Sequence, residues 1–262
     1  MLKTARRSHQ GFFKQLVLRQ IRQDYLQNLT GFAWLFLQPM MLLAVYAFVF
    51  STIFKARIPD SGGVGFAAYL AIAFWPWTAF AEAVLKASGS ISAHAGLVSK
   101  VAFPRELIPL ATVTATFIMH GAGFLAVILV LALTGTPIHW WLLPIAALLF
   151  LLLWLFASAI TLFTSSLQVF VRDLAQILPP LMTLWFFITP ILYSVAMLPP
   201  RMAAAMQWNP MTWFTVQFRD LLLYGKLDVA LLNPLAWLAI PLFAYAGLRW
   251  FRRFSGHFED FL

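Results

Sequence analysis

The chain has 262 residues, of which 62% are hydrophobic and only 10% charged, with a mean hydropathy of +0.83. So much apolar surface cannot be hidden in one water-soluble core, so composition excludes an ordinary soluble domain and predicts an all-α polytopic membrane protein. The net charge of +9 does not mark a nucleic-acid binder, because the bases sit between apolar runs, and the absence of cysteine excludes disulfides, thiolate metal sites and a cysteine nucleophile.

Residues 1–31 carry Lys3, Arg6, Arg7, Lys14, Arg19 and Arg22 and no compact apolar region before a small-residue cleavage site, so no cleavable signal peptide is expected. Phe13, Val17, Ile21 and Tyr25 recur at i, i+4, with Arg19 and Arg22 on the opposite side, which predicts an interface helix lying in the membrane surface. The plainer reading is a charged lead-in to the first span. Asn28-Leu29-Thr30 matches a glycosylation acceptor by chance, since it lies beside a span on the cytoplasmic side.

Six spans of about 20 residues are expected, near 32–54, 65–87, 107–134, 141–167, 174–195 and 233–250. Of the 18 Lys and Arg, five (Lys55, Arg57, Arg201, Arg219 and Lys226) then fall on outer segments, leaving thirteen inside. That asymmetry predicts an even number of spans with both termini cytoplasmic. The chain reads as one domain, 1–262, with no internal repeat. Its parts are the interface helix (1–31), a loop after the second span (88–106), an outer segment (196–232) and a tail (251–262).

Span two contains Trp75-Pro76-Trp77, where proline removes a backbone donor and the tryptophans sit at the level of an interfacial belt; Trp140 and Trp141 mark the same outer level before span four. After span two, Gly89 and Ser90 break the helix, Ile91 to Val101 can form a short one, and Pro104 stops it from continuing into span three. This reads as a rigid elbow exposing Leu97, Val98, Val101 and Phe103 beside Lys100, Arg105 and Glu106. The same residues would equally suit a partner's groove or burial against the chain's own helices. At the turn between spans four and five, Asp173 is placed to cap the next helix, leaving Arg172 for lipid phosphate or a partner.

The outer segment holds Pro199-Pro200, Trp208, Asn209-Pro210 and the apolar run Met211 to Leu223 with Trp213 and Phe214. That run is about 20 Å long as a helix, too short to span. Two short helices broken at Asn209-Pro210 are expected to dip into the membrane as a re-entrant hairpin, buried in protein or lining a water-filled cavity; it is read as lining the outer part of a pathway. A surface-lying helix that lines nothing is the alternative.

The residues that could carry chemistry are few. No GxxxxGK[ST] loop is present, so this chain is not expected to hydrolyse ATP, and the five histidines show no ligand spacing, so no metal site is expected. Glu82 and His120 are the ionisable groups placed inside the spans. A proton relay needs a chain of such groups, so each is read as a lone hydrogen-bonded carboxylate and a helix-contact imidazole.

Several short matches in order do point to a family. Gln38-Pro39, Pro76-Trp77, Ala95-Gly96-Leu97-Val98 running into Lys100-Val101-Ala102-Phe103-Pro104-Arg105-Glu106, Arg172-Asp173-Leu174, Thr189-Pro190-Ile191-Leu192-Tyr193 and Asn209-Pro210-Met211 together resemble ABC-2 type permeases that export polysaccharides, nearest the O-antigen branch, with capsule and teichoic acid permeases as relatives. The resemblance implies a homodimer with a canal at its two-fold axis and two copies of a separate ABC ATPase, which binds MgATP; this chain itself holds no cofactor. It implies a lipid-linked polysaccharide as substrate, membrane lipid as surroundings, no nucleic acid, and the bacterial inner membrane as location. It assigns ATPase contact to the interface helix and to Ala95 through Glu106, and the outer exit to the hairpin. Family members often carry a basic residue where this chain has Asp24, which weakens the expected hold of the interface helix on anionic lipid.

A hydrated glycan on a charged diphosphate cannot enter hydrocarbon and needs a lined canal, and aromatic faces let sugars slide without a fixed hydrogen-bond register. Phe32, Trp34, Phe36, Trp75, Trp77 and Phe80 are the candidate lining. Three rivals are an ABC-2 drug or small-lipid exporter, a membrane enzyme acting on lipid-linked sugars, and a passive channel. The exporters of the first kind more often carry a large outer domain after span one, where this chain has about ten residues. The enzyme needs paired carboxylates, and among nine acidic residues only Glu259-Asp260 are neighbours.

Overall fold

A computed structural model describes residues 2–26, 31–55, 64–100, 103–227 and 234–262. Every described element is helical. The α-helices, in chain order, are α1 (Leu2–Ile21), α2 (Gly31–Phe48), α3 (Phe66–Ser88), two single turns α4 (Ser90–Ala93) and α5 (Ala95–Val98), α6 (Leu107–Leu133), α7 (Leu143–Phe170), α8 (Leu174–Ile188), α9 (Pro200–Met206), α10 (Pro210–Leu222) and α11 (Pro234–Ser255).

Among the described residues, four helical stretches are long and apolar enough to cross a bilayer: Phe36–Ile53, Phe66–Ser88, Leu107–Leu133 and Trp140–Phe170. α8 is apolar but has 15 residues, about 22 Å, short of a hydrocarbon core of about 30 Å. α11 has 22 residues, and its last turn carries Arg252 and Arg253. The prolines inside α2, α3, α8 and α11 (Pro39, Pro76, Pro179, Pro180 and Pro241) would break soluble helices; such helices persist in lipid because an open backbone has no water to turn to.

α3 is the central pillar. Within its apolar window 78% of residues are buried, against 6% for the first span, so α2 touches the bundle along a narrow strip and α3 is enclosed by α6, α7, α10, α2 and α8. Close approach depends on two glycines. At Gly123 of α6 a Cβ would lie 2.4 Å from the Trp75 ring, and at Gly247 of α11 one would lie 2.9 Å from Ala159 O of α7. Small residues at such crossings let backbones meet where burial from water gives no driving force between helices.

α1 runs beside the start of α6. Leu16 and Val17 are buried against Ala111 and Ala115, with Phe13 and Ile21 packed on the same cluster, while Arg19 and Arg22 are exposed. The amphipathic pattern is therefore answered by the protein's own α6 as well as by any surface beyond it. The side chain of Tyr25 lies outside the described residues.

Candidate functional site

A groove of about 660 Å³ opens between α2, α3 and α8. Pro39 and Leu42 of α2, Ala81 of α3 and Pro179 and Met182 of α8 make its apolar wall, and Gln38, Thr78 and Thr183 place hydrogen-bonding groups along it. Its aromatic lining is Trp34, Tyr46, Phe74, Trp77, Phe186 and Phe187. Tyr46 stacks on Phe186 at 5.8 Å, and Trp77 tilts against Phe186 at the same separation, so the rings brace one another. From Phe74 to Lys86 the lining follows α3 for about 18 Å.

The end nearer the Gly89 bend is charged. Lys86 bridges Glu82 at 2.7 Å and Asp24 at 3.4 Å, and Glu82 in turn bonds the buried His120 Nε2 at 2.8 Å. Gln20 donates to Asp24 Oδ1 at 2.9 Å, tying the end of α1 into the set. Glu82 and His120 are thus not the two separate groups expected above but the inner half of a four-residue polar chain. The i, i+4 spacing of Glu82 and Lys86 was readable on a helix; the link to Asp24 was not, because it joins residues brought together by the fold.

The expected lining aromatics divide. Trp34 and Trp77 line the groove. Trp75 and Phe80 do not: both are fully buried, Trp75 donating its indole N–H to His120 O at 3.0 Å, and Phe80 stacked on Phe156 at 5.6 Å. Phe36 packs on Trp75 instead of the groove, and the side chain of Phe32 lies outside the described residues. Phe and Trp on one helix look alike in a sequence; which face is covered depends on α6 and α7. Tyr46, Phe74, Phe186 and Phe187 went unread for the same reason.

The elbow after α3 is two helical turns, not one helix. His94 interrupts it with φ −111°, its backbone N–H shared between Ser90 O and Ile91 O and its Nδ1 2.9 Å from Ser90 O. Its described apolar residues are partly or wholly covered by the chain itself. Val98 is 1% exposed beside Ile91 and Ile108, Leu97 is half-buried, and Phe103 meets Phe12 of α1 edge-on at 5.0 Å. Glu106 is buried and paired with Arg252, and Arg105 donates to Ser255 O and Glu259. Ser92, Gly96, Ser99 and Lys100 are exposed, Ala95 and Pro104 are half-buried, and Val101 and Ala102 lie outside the described residues. At the next bend Arg172 and Asp173 are both exposed. Asp173 does not cap α8 with its side chain; its backbone carbonyl accepts from Gln176 and Ile177.

At the far end, α9 and α10 meet at Asn209-Pro210. Pro199, Pro200, Trp208 and Pro210 are exposed, whereas α10 is sunk into the bundle with Phe214 and Phe218 fully buried and Trp213 packed on the core. None of these residues lines the groove. Of the two settings open to such a hairpin, burial in protein is the one α10 has here: its buried face packs on α3 and α7. Asn209 holds the break: its Oδ1 accepts from Met211 N and from Trp185 Nε1, at 3.0 and 2.9 Å, and its Nδ2 donates to Thr189 Oγ1. Asn209→Ala is expected to cost about 1–2 kcal/mol, read as a lower thermal midpoint, because it removes a cap and orphans the Trp185 indole N–H.

Arg219 was counted above as an outer base, yet it is 2% exposed. Its Nε donates to Tyr69 O at 3.0 Å, its Nη1 to Pro190 O and Nη2 to Ile191 O at 2.7 Å each, and the guanidinium lies 3.5 Å from the centre of the Tyr69 ring. Three segments (the first turn of α3, the bend after α8, and α10) are pinned by one side chain. An arginine within a run of mostly apolar residues was the available signal.

Comparison with known proteins fits this arrangement. The family model described as ABC-2 type transporter matches residues 12–223. The chain is 27% identical to an O-antigen export system permease protein of Klebsiella pneumoniae, over 93% of this chain and 92% of that one. It is 28% identical to an O-antigen export system permease protein of Myxococcus xanthus, over 88% and 86%. A capsule polysaccharide export inner-membrane protein of Neisseria meningitidis serogroup B is 26% identical over 78% of this chain and 76% of its own.

Proposed function

Because this chain belongs to the ABC-2 type transporter family, we propose that it is the permease subunit of an ATP-driven exporter carrying a lipid-linked, O-antigen-type polysaccharide across the bacterial inner membrane. The observation that carries this reading is the groove: braced aromatic faces and spaced hydrogen-bonding groups over about 18 Å, with charged groups gathered at one end. A hydrated polymer needs such a lining because hydrocarbon offers its hydroxyls no partners.

Trp34 and Phe187 of the groove lining remain more than half exposed, and α2 beside it is little covered. A second copy facing this side would enclose the groove as a canal, which is why we read the working unit as a homodimer. α8 and α11 complete six spans in this reading, with α9 and α10 re-entering from the outside and both termini in the cytoplasm. Exposed Trp140, Trp141 and Trp208 suit an outer interfacial belt. The elbow and the Arg172-Asp173 turn then face the cytoplasm, where two ATPase subunits binding MgATP would press. This chain supplies the path and no catalytic group.

The test is complementation: a cell lacking its own O-antigen permease, given this chain and its cognate ATPase, should regain surface polysaccharide. Failure to do so while both proteins reach the membrane would remove the reading. Orientation is checked separately. The chain has no cysteine, so Met202→Cys and Gln207→Cys can be labelled singly, and impermeant maleimide should reach both in intact cells; protection of both would overturn the topology.

A further inference from the structure

The chain's last residues fold back onto the elbow. After α11 a single turn at Phe258–Asp260 inserts Phe258, fully buried, into a cluster with Ile91 and Val98 of the elbow, Ile108 of α6, Val169 of α7 and Phe251. Phe258 meets Phe251 edge-on at 5.3 Å and Phe170 at 5.9 Å. Around this plug the charges cross. The adjacent Arg105 and Glu106 face, respectively, Glu259 of the tail and Arg252 of α11. Glu106 Oε1 accepts from Arg252 Nε and Nη2 at 2.8 and 2.7 Å, and Arg105 also donates to Ser255 O at the end of α11.

We infer that the C-terminal tail is a clamp that joins the elbow to α11, so that force applied at the elbow reaches α11 directly and not only the two helices to which the elbow is covalently attached. This rests on the permease reading and deepens it. Three features favour a permanent clamp over a strap that must leave. Phe258 is enclosed on several sides, so its release would open the cluster to water. The acid of one ion pair is itself buried, and withdrawing Arg252 would leave Glu106 uncompensated. Gly247 lets α11 lie close on α7, so a displacement of α11 is passed to a second helix and not absorbed by a loose contact.

The clamp is tested in the complete transporter, with ATPase bound, by charge reversal. Glu259→Arg should lower export by about fivefold or more while nucleotide hydrolysis continues, and Glu259→Gln, which keeps an acceptor oxygen for Arg105, should retain most of it. Deleting residues 256–262 should likewise leave hydrolysis and depress export. Wild-type export from Glu259→Arg, a Glu259→Gln variant no better than Glu259→Arg, or a deletion that exports as well as or better than wild type would each overturn the clamp. A wild-type complex that hydrolyses ATP but exports no glycan would instead count against the permease reading.

Discussion

Arg219→Ala is expected to be the most damaging single substitution in the half of the molecule that holds α9 and α10, costing roughly 3–5 kcal/mol. The change leaves Tyr69 O, Pro190 O and Ile191 O without the donor that now satisfies them, removes the cation from the face of Tyr69, and opens a void at a fully buried position. Because the three carbonyls belong to three segments, the loss is felt as a loosening of α10 from α3 and from the bend after α8. The thermal midpoint should fall by about 10 °C, and protease added to the purified protein should cut near residues 199–227 at a concentration harmless to the wild type. Arg219→Lys should recover only part, since an ammonium lacks the planar fork and stacks poorly on tyrosine. A variant with alanine at this position and an unchanged midpoint would mean that the fork is ornamental.

The second large effect is a contrast between aromatic residues that look interchangeable in the sequence. Trp75→Ala and Phe80→Ala should each cost about 3–5 kcal/mol, because both side chains are fully enclosed and leave cavities that the bundle cannot fill. Gly123→Ala should approach the same site from the other side, for its new Cβ would stand 2.4 Å from the Trp75 ring and push the indole off His120 O; overpacking of this kind costs about 1–3 kcal/mol. Trp34→Ala and Phe187→Ala, both more than half exposed along the groove, should change stability by no more than about 0.5 kcal/mol and yet reduce the amount and length of exported glycan. Thermal melts and surface-polysaccharide gels on the same four aromatic variants separate the two groups. If Phe80→Ala melts as wild type and Trp34→Ala exports normally, the division between core and groove does not hold.

How far the site could be read from the residues follows from what each signal depends on. The elbow announced itself through Gly89, Ser90 and Pro104, because those residues act on their own backbone. Its surface did not. Leu97, Val98 and Phe103 are apolar whether they face a partner or the chain's own tail, and it takes the return of Phe258 to show that Val98 is covered from within. Likewise Asn209-Pro210 marked a break between two short helices, but that Asn209 reaches Trp185 and Thr189 is a matter of where α8 ends. Asp173 shows the reverse error. Its position before α8 was legible, whereas its carboxylate makes no capping bond, so a residue type suited to a role did not perform it.

The amino-acid order by itself determined that this is an all-helical chain of the bilayer, where the apolar runs lie, where glycine and proline interrupt them, and which family it resembles. Each of these is a local property: apolar content over about 20 residues, a missing N–H, a charge asymmetry between neighbouring segments. Only the tertiary structure decided which rings line the groove, that Asp24, Lys86, Glu82 and His120 form one polar chain, and that Arg219 is buried among carbonyls. The physical reason is that in lipid nearly every side chain on a spanning helix is apolar, so hydrophobicity no longer distinguishes inside from outside; the distinction is made by which neighbouring helix arrives to cover it.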